Sequence, residues 1–181
     1  MYEVELKLRA DHEAVRERLA AEGATARGAV RQRDTYYDAP HRDFDVTDEA
    51  LRIRRVERDE TVESRLTYKG PLVDDDSKTR REHETVVEDG ETAAAVFEAL
   101  GFSPAAEVRK RRERFVLDGY LVTLDAVEGV GEFVEVEGEA AEDEIDRVRD
   151  EAAAVVERLG LDPEANIRTS YLELLLEDSP Q

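Results

Sequence analysis

Carboxylates and cations recur along this chain in pairs two residues apart, separated by apolar residues. Glu3/Glu5, Glu82/Glu84 and Glu135/Glu137 are carboxylate pairs, and Lys7/Arg9, Arg52/Arg54 and Lys110/Arg112 are cation pairs. Residues i and i+2 of a strand point to the same face. A single stretch such as Glu3-Val4-Glu5-Leu6-Lys7-Leu8-Arg9 is ordinary for a half-buried strand with a solvated side. So many matched pairs suggest a shared destination, the inside of a wide closed barrel. The apolar residues between them then face outward, where helices cover them. Clustered carboxylates suit hard divalent cations, and Lys and Arg suit phosphate oxygens. A polyphosphate together with Mg2+ or Mn2+ satisfies both. Phosphoryl and nucleotidyl transfer need placement and charge neutralisation more than covalent help, which such a lining supplies.

The elements that position these pairs repeat once. Glu3-Val4-Glu5, a helical stretch over 11–23 and Val30-Arg31-Gln32-Arg33 have counterparts in Glu82-His83-Glu84, a helical stretch over 91–101 and Val108-Arg109-Lys110-Arg111. Val15, Leu19 and Ala20 share a helical face, with Asp11 suited to cap it and Gly23 to end it. Ala95, Val96, Ala99 and Leu100 form a similar stripe before Gly101, and both stripes are expected to be core contacts. Two more strand-like segments follow in each half. A third helix is expected over about 142–159, with Ile145, Val148, Ala152, Val155, Val156 and Leu159 as its apolar stripe. Each half therefore reads strand, helix, three strands. Two β-α-β-β-β units supply eight strands, enough to close a barrel. The expected fold is α+β, an eight-stranded antiparallel barrel with flanking helices. One domain is expected over 1–181, with halves at about 1–72 and 79–139 and a helical segment at about 140–177.

Composition narrows the partners. The chain has 26 Lys and Arg against 46 Asp and Glu, a net charge of −20, and only four of the cations are lysine. Such an acidic, lysine-poor surface is that of a protein adapted to high salt, and it argues against nucleic acid or an anionic membrane as a partner. With no apolar run of the ~18 residues a membrane helix needs and no signal-like start, a cytoplasmic location is expected. There is no cysteine, and His12, His41 and His83 lack metal-ligand spacing. Zinc and copper chemistry is therefore disfavoured.

Six ordered motifs resemble the CYTH superfamily of triphosphate tunnel metalloenzymes, most closely its class IV adenylyl cyclase-like branch. They are Glu3-x-Glu5-x-Lys7, Leu51-Arg52-Ile53-Arg54, Lys69-Gly70-Pro71, Arg80-Arg81-Glu82-His83-Glu84, Gly101-Phe102 with Val108-Arg109-Lys110-Arg111-Arg112, and Leu124-Asp125 with Gly131-x-Phe133-x-Glu135-x-Glu137. The tail, Arg168-Thr169-Ser170-Tyr171-Leu172-Glu173-Leu174-Leu175, resembles that branch's ending. The resemblance implies a tunnel holding a triphosphate with Mg2+ or Mn2+. It implies Glu3, Glu5, Asp125, Glu135 and Glu137 as metal ligands, and Lys7, Arg52, Arg54, Lys69, Lys110 and Arg112 as triphosphate-binding residues. Glu3, Glu5 and Lys7 would be the catalytic core, with Glu82 and Glu84 orienting the cations. Family members often pair as dimers, so a second copy is a candidate partner.

Two reactions fit such a tunnel. In a cyclase, the ribose 3′-oxygen of ATP attacks the α-phosphorus and pyrophosphate leaves, giving cAMP; this reading leads. In a triphosphatase, water attacks the terminal phosphorus of tripolyphosphate, thiamine triphosphate or a nucleotide. A non-catalytic polyphosphate- or nucleotide-binding module is the third reading. No residue is identifiable from the sequence as an adenine reader. Lys7, Lys69 and Lys110 fall in strand-like segments, whereas Lys78 falls in an acidic loop. An ammonium is a compact point charge and a guanidinium a wide planar fork. Lys7→Arg and Lys110→Arg are therefore each expected to slow turnover at least about tenfold in steady-state assays. Lys78→Arg, read as a loop substitution, is expected to leave it unchanged.

Overall fold

The alternation of charged and apolar residues becomes eight antiparallel strands. A computed structural model describes residues 2–74 and 76–177. The strands are β1 (Tyr2–Arg9), β2 (Thr25–Asp38), β3 (Ala50–Arg58), β4 (Thr61–Leu72), β5 (Arg80–Val87), β6 (Ser103–Leu117), β7 (Tyr120–Val127) and β8 (Gly131–Ala140). They close into a barrel in the order β1-β5-β4-β3-β2-β6-β7-β8, with β8 returning to β1. The helices are α1 (His12–Ala21), α2 (Phe44–Thr47), α3 (Gly90–Ala99), α4 (Ile145–Arg158) and α5 (Tyr171–Glu177). Among the described residues, no helix is long and apolar enough to cross a membrane.

The duplicated segments meet each other in the barrel. β2 and β6 form a long ladder in which Val30 faces Arg112 and Gln32 faces Lys110. β1 and β5 are also neighbours, but pair only through Tyr2–Arg81 and Glu3–Arg80. Beyond Glu3, no strand among the described residues lies beside that edge of β1. An uncovered edge leaves unpaired N–H and C=O groups, and here irregular chain satisfies them. The Lys78 amide donates to Glu5 O at 3.0 Å, the Lys7 amide to Asn166 Oδ1 at 2.9 Å, and the Ile167 amide to Lys7 O at 2.7 Å.

The main core lies outside the barrel, on one side. Val4, Leu6, Leu8, Val122, Leu124, Val134 and Val136 point outward and pack against Val15 and Leu19 of α1 and Val148, Ala152, Val155 and Val156 of α4. Burying a side chain of this size contributes roughly 1.5–3 kcal/mol. α1 begins where Asp11 accepts from the Ala14 amide, and the chain leaves it through Gly23 at φ 76°. The stripes expected for α1 and for the third helix thus form core contacts, the latter after a 3₁₀ turn at Glu142–Glu144.

The stripe expected on α3 does not. No α3 residue is buried, and Val96 and Leu100 are 51% and 65% exposed. α3 is anchored instead by Phe97, whose ring lies 5.2 Å from Tyr37 and 5.6 Å from Phe102. The main core draws its helical cover from α1 and α4, which leaves Val62 of β4 more than half exposed on the barrel's outer surface. A smaller core forms where Ile167, Tyr171, Leu172, Leu174 and Leu175 pack against Val108, Val127 and Phe133.

Candidate active site

The strand period turns the charged pairs inward. Most of them line a cavity of about 500 Å3 that includes Glu3, Glu5, Arg52, Arg54, Lys69, Glu82, Glu84, Lys110, Arg112, Glu135 and Glu137, whereas Lys7 and Asp125 are buried and, like the exposed Arg9, are not part of its lining. Glu5 of β1 lies directly opposite Glu137 of β8. Glu3, Glu5 and Glu137 each bring a carboxylate oxygen within 4.8 Å of the others. Like charges this close resist ionising together. Burial, then the neighbouring Glu3, pushes the Glu137 carboxyl up to about 8. Burial also opposes ionisation of Glu3, but Lys69, a hydrogen bond with Glu82 and then Arg52 outweigh it and hold that carboxyl below its ordinary range. An all-oxygen donor set with excess negative charge fits Mg2+ or Mn2+.

That fit predicts a proton linkage. A ligand must be deprotonated to bind a metal, so binding releases the proton that Glu137 holds below about 8. Mn2+ affinity measured by calorimetry is expected to tighten as pH rises through 7 to 8, with heats that vary with the buffer's ionisation enthalpy. A flat pH profile without proton release would contradict this.

Asp125 and Glu135 sit in a different setting. Asp125 is fully buried and accepts two hydrogen bonds from Arg112, at 2.7 and 2.5 Å, and one from Lys110 Nζ at 3.1 Å. Arg112 also bonds Glu135. Burial disfavours the Glu135 carboxylate, yet Arg112, Lys110 and Lys7 hold it well below its ordinary range. Both acids therefore already anchor the cation wall, whereas Glu3, Glu5 and Glu137 form the cluster with room for an ion.

The remaining cations are held by acids in the same way. Arg54 binds Asp34 through two hydrogen bonds, at 2.7 and 2.6 Å, and Arg52 approaches the same carboxylate at 3.5 Å. Lys69 pairs with Glu82 and lies 3.4 Å from Glu3. Glu84 accepts from Thr67 at 2.9 Å and Arg65 at 2.8 Å. Glu82 therefore touches one cation of the expected phosphate wall, Lys69, whereas Glu84 touches Arg65, a cation outside that expected set.

Lys7 is fully buried. Its ammonium bonds Thr169 O and lies 4.4 Å from the centre of the Tyr171 ring, with Lys110 4.7 Å from the same ring. Burial, then Lys78, lowers Lys7 to about 7. Burial, then Arg112, lowers Lys110 to about 8.

Asp34, Tyr171 and Lys78 are among the residues at the site that were not expected there. Asp34 had a signal: the internal repeat sets Gln32 and Asp34 in the frame of Lys110 and Arg112. Tyr171 lay in the recognised tail, but with no role attached. Lys78 was read as an ordinary loop residue, and the structure corrects this. Its side chain is 14% exposed, lines the cavity and lies 3.3 Å from Glu5 Oε1. The loop reaches the cavity because it closes the gap between β1 and β5, a long-range event without a local signal.

A CYTH domain family model matches residues 1–171. A Methanocaldococcus jannaschii protein, described as a candidate adenylate cyclase, is 39% identical over 176 residues, covering 96% of this chain and 98% of its own length. The solved structure of the PH1819 protein of Pyrococcus horikoshii is 38% identical with a TM-score of 0.91, over 98% of this chain and 99% of that one. The PH1012 protein of the same organism is 29% identical with a TM-score of 0.83, over 96% and 99%. With the closed barrel and its charged interior in place, the match over nearly the whole length shows that this chain belongs to the CYTH domain family.

Proposed function

We propose that this protein is a divalent-metal-dependent enzyme acting on a triphosphate inside the barrel, with conversion of ATP to cAMP and pyrophosphate as the leading reaction. One observation carries the reading: a single cavity joins the Glu3/Glu5/Glu137 cluster to a wall of Arg52, Arg54, Lys69, Lys110 and Arg112. Glu3, Glu5 and Glu137 would hold Mg2+ or Mn2+, which supplies charge neutralisation at the reacting phosphate. The cation wall binds the phosphate chain and offsets charge on the leaving group. Acids behind that wall fix each guanidinium, so little reorganisation is needed when substrate binds. Lys7, lowered to about 7 by burial and Lys78, can exchange a proton at Nζ near neutral pH.

The lining also contains Tyr36, Phe44 and Leu172. A bare polyphosphate has no use for such surface, whereas a base and ribose do, and this supports a nucleotide. Triphosphatase action is the second reading, because the carboxylate cluster and cation wall serve hydrolysis equally well. Incubation with Mg2+ or Mn2+ and, separately, ATP, tripolyphosphate and thiamine triphosphate, at low and high salt, tests both. cAMP and pyrophosphate from ATP support the cyclase. Orthophosphate release without cAMP selects the triphosphatase. Binding without turnover of any of the three leaves a binding module and overturns the proposal.

A further inference from the structure

The segment that closes the gap between β1 and β5 is tied down on several sides. The Lys78 amide donates to Glu5 O at 3.0 Å, and the Val73 amide to Thr79 O at 2.9 Å. Ser77 and Thr79 are fully buried, and their hydroxyls bond each other at 2.6 Å. Arg149 of α4 reaches in to bond Asp74 Oδ1 at 3.0 Å. The tail adds Asn166 Nδ2 to Asp76 O at 2.9 Å and an Arg168 guanidinium to Asp74 O at 2.8 Å. Exposed loops rarely carry so many ties. These hold one side chain, Lys78, against the carboxylate cluster.

We propose that Lys78 is a triphosphate-binding residue and that Arg149 positions it; the inference rests on the triphosphate reading above. The Lys78 ammonium lies 3.3 Å from Glu5, one of the three clustered acids. A phosphate oxygen that neutralises the ions of that cluster comes within reach of Nζ. Lys69 and Arg80 share the same cavity lining, so Lys78 extends the cation wall around the acids. Two roles are separable by sign. A lysine that only balances Glu5 competes with the metal, so its removal tightens metal binding and spares substrate affinity. A lysine that binds phosphate leaves metal affinity nearly unchanged, and its removal weakens substrate binding.

Calorimetry measures both quantities: Mn2+ alone, then ATP and tripolyphosphate in saturating Mn2+. The proteins are the parent, Lys78→Ala, Lys78→Arg, Arg149→Gln, the Lys78→Ala/Arg149→Gln double variant and Lys110→Ala, each checked by thermal melting. Lys78→Ala keeps the backbone bond to Glu5. It is expected to raise the triphosphate Kd at least about tenfold, the loss of one charge-assisted contact, and to move the Mn2+ Kd less than about threefold. Lys78→Arg is expected to recover part of that loss. Arg149→Gln is expected to weaken triphosphate binding alone but to add nothing in the Lys78→Ala background, an interaction that general destabilisation would not produce. Unchanged triphosphate affinity with tighter Mn2+ binding in Lys78→Ala would overturn the inference. If Lys110→Ala weakens binding and Lys78→Ala does not, the triphosphate reading stands and this inference falls. If the parent binds neither triphosphate, both fall.

Discussion

Glu137→Gln is expected to abolish most turnover while leaving the metal-free barrel at least as stable as the parent. In the folded protein burial and Glu3 raise this carboxyl from its ordinary 4.5 to about 8. Between those values the folded state binds a proton that the unfolded chain releases, so this group's contribution to stability falls as pH rises from about 4.5 to about 8. An amide has nothing to ionise, and its shape is nearly that of the acid. At pH 8 without metal the variant is therefore expected to melt at or above the parent's temperature. With saturating Mn2+ the order is expected to reverse, because only the parent keeps all three clustered carboxylates for the proposed metal site. Turnover is expected to drop about 100-fold or more, comparable to losing a positioned group at a reacting phosphate. Melting with and without Mn2+, beside steady-state rates, checks both halves. Near-parent rates would remove Glu137 from the metal site. A large loss of stability without metal would mean that its charge is already compensated.

Arg112→Met is expected to do the opposite, damaging the fold as much as the chemistry. Arg112 holds the fully buried Asp125 through two hydrogen bonds and also bonds Glu135. Removing one partner of a buried ion pair strands the other charge and typically costs about 3–5 kcal/mol. For a chain of this length, each kcal/mol lowers the melting temperature by roughly 2–4 °C, so a drop of about 10 °C is expected. Arg55→Met provides the contrast. Arg55 pairs with Glu57 on the surface, with both side chains at least 40% exposed, and such pairs contribute about 0–1 kcal/mol. If the two variants melt alike, the interior network carries no more stability than a surface pair.

The barrel was legible in the sequence because its cause is local. Period-two alternation assigns each side chain to a face, and helical stripes assign α1 and α4 to the outside. The motif run Glu3-x-Glu5-x-Lys7, Leu51-Arg52-Ile53-Arg54 and Lys110-x-Arg112 marked the inward residues because charge pairs at strand spacing must share a surface. α3 shows the limit of the same argument. Its stripe has the right period, but periodicity states which residues share a face and not whether another element covers that face.

The division of labour among the carboxylates belongs to the tertiary structure. Glu3, Glu5, Asp125, Glu135 and Glu137 are alike in the sequence as acids facing one interior. Strand register sets Glu5 opposite Glu137 and Arg112 opposite Asp125, so Asp125 and Glu135 bond cations while Glu3, Glu5 and Glu137 bring carboxylate oxygens within 4.8 Å of one another. Lys78 follows the same logic over a longer range. β1 and β5 overlap by only two residue pairs, and the resulting gap draws a loop into the wall. Facing is set by the two-residue period of a strand and can be read locally. Partnership is set by register and closure, which join residues scores of positions apart.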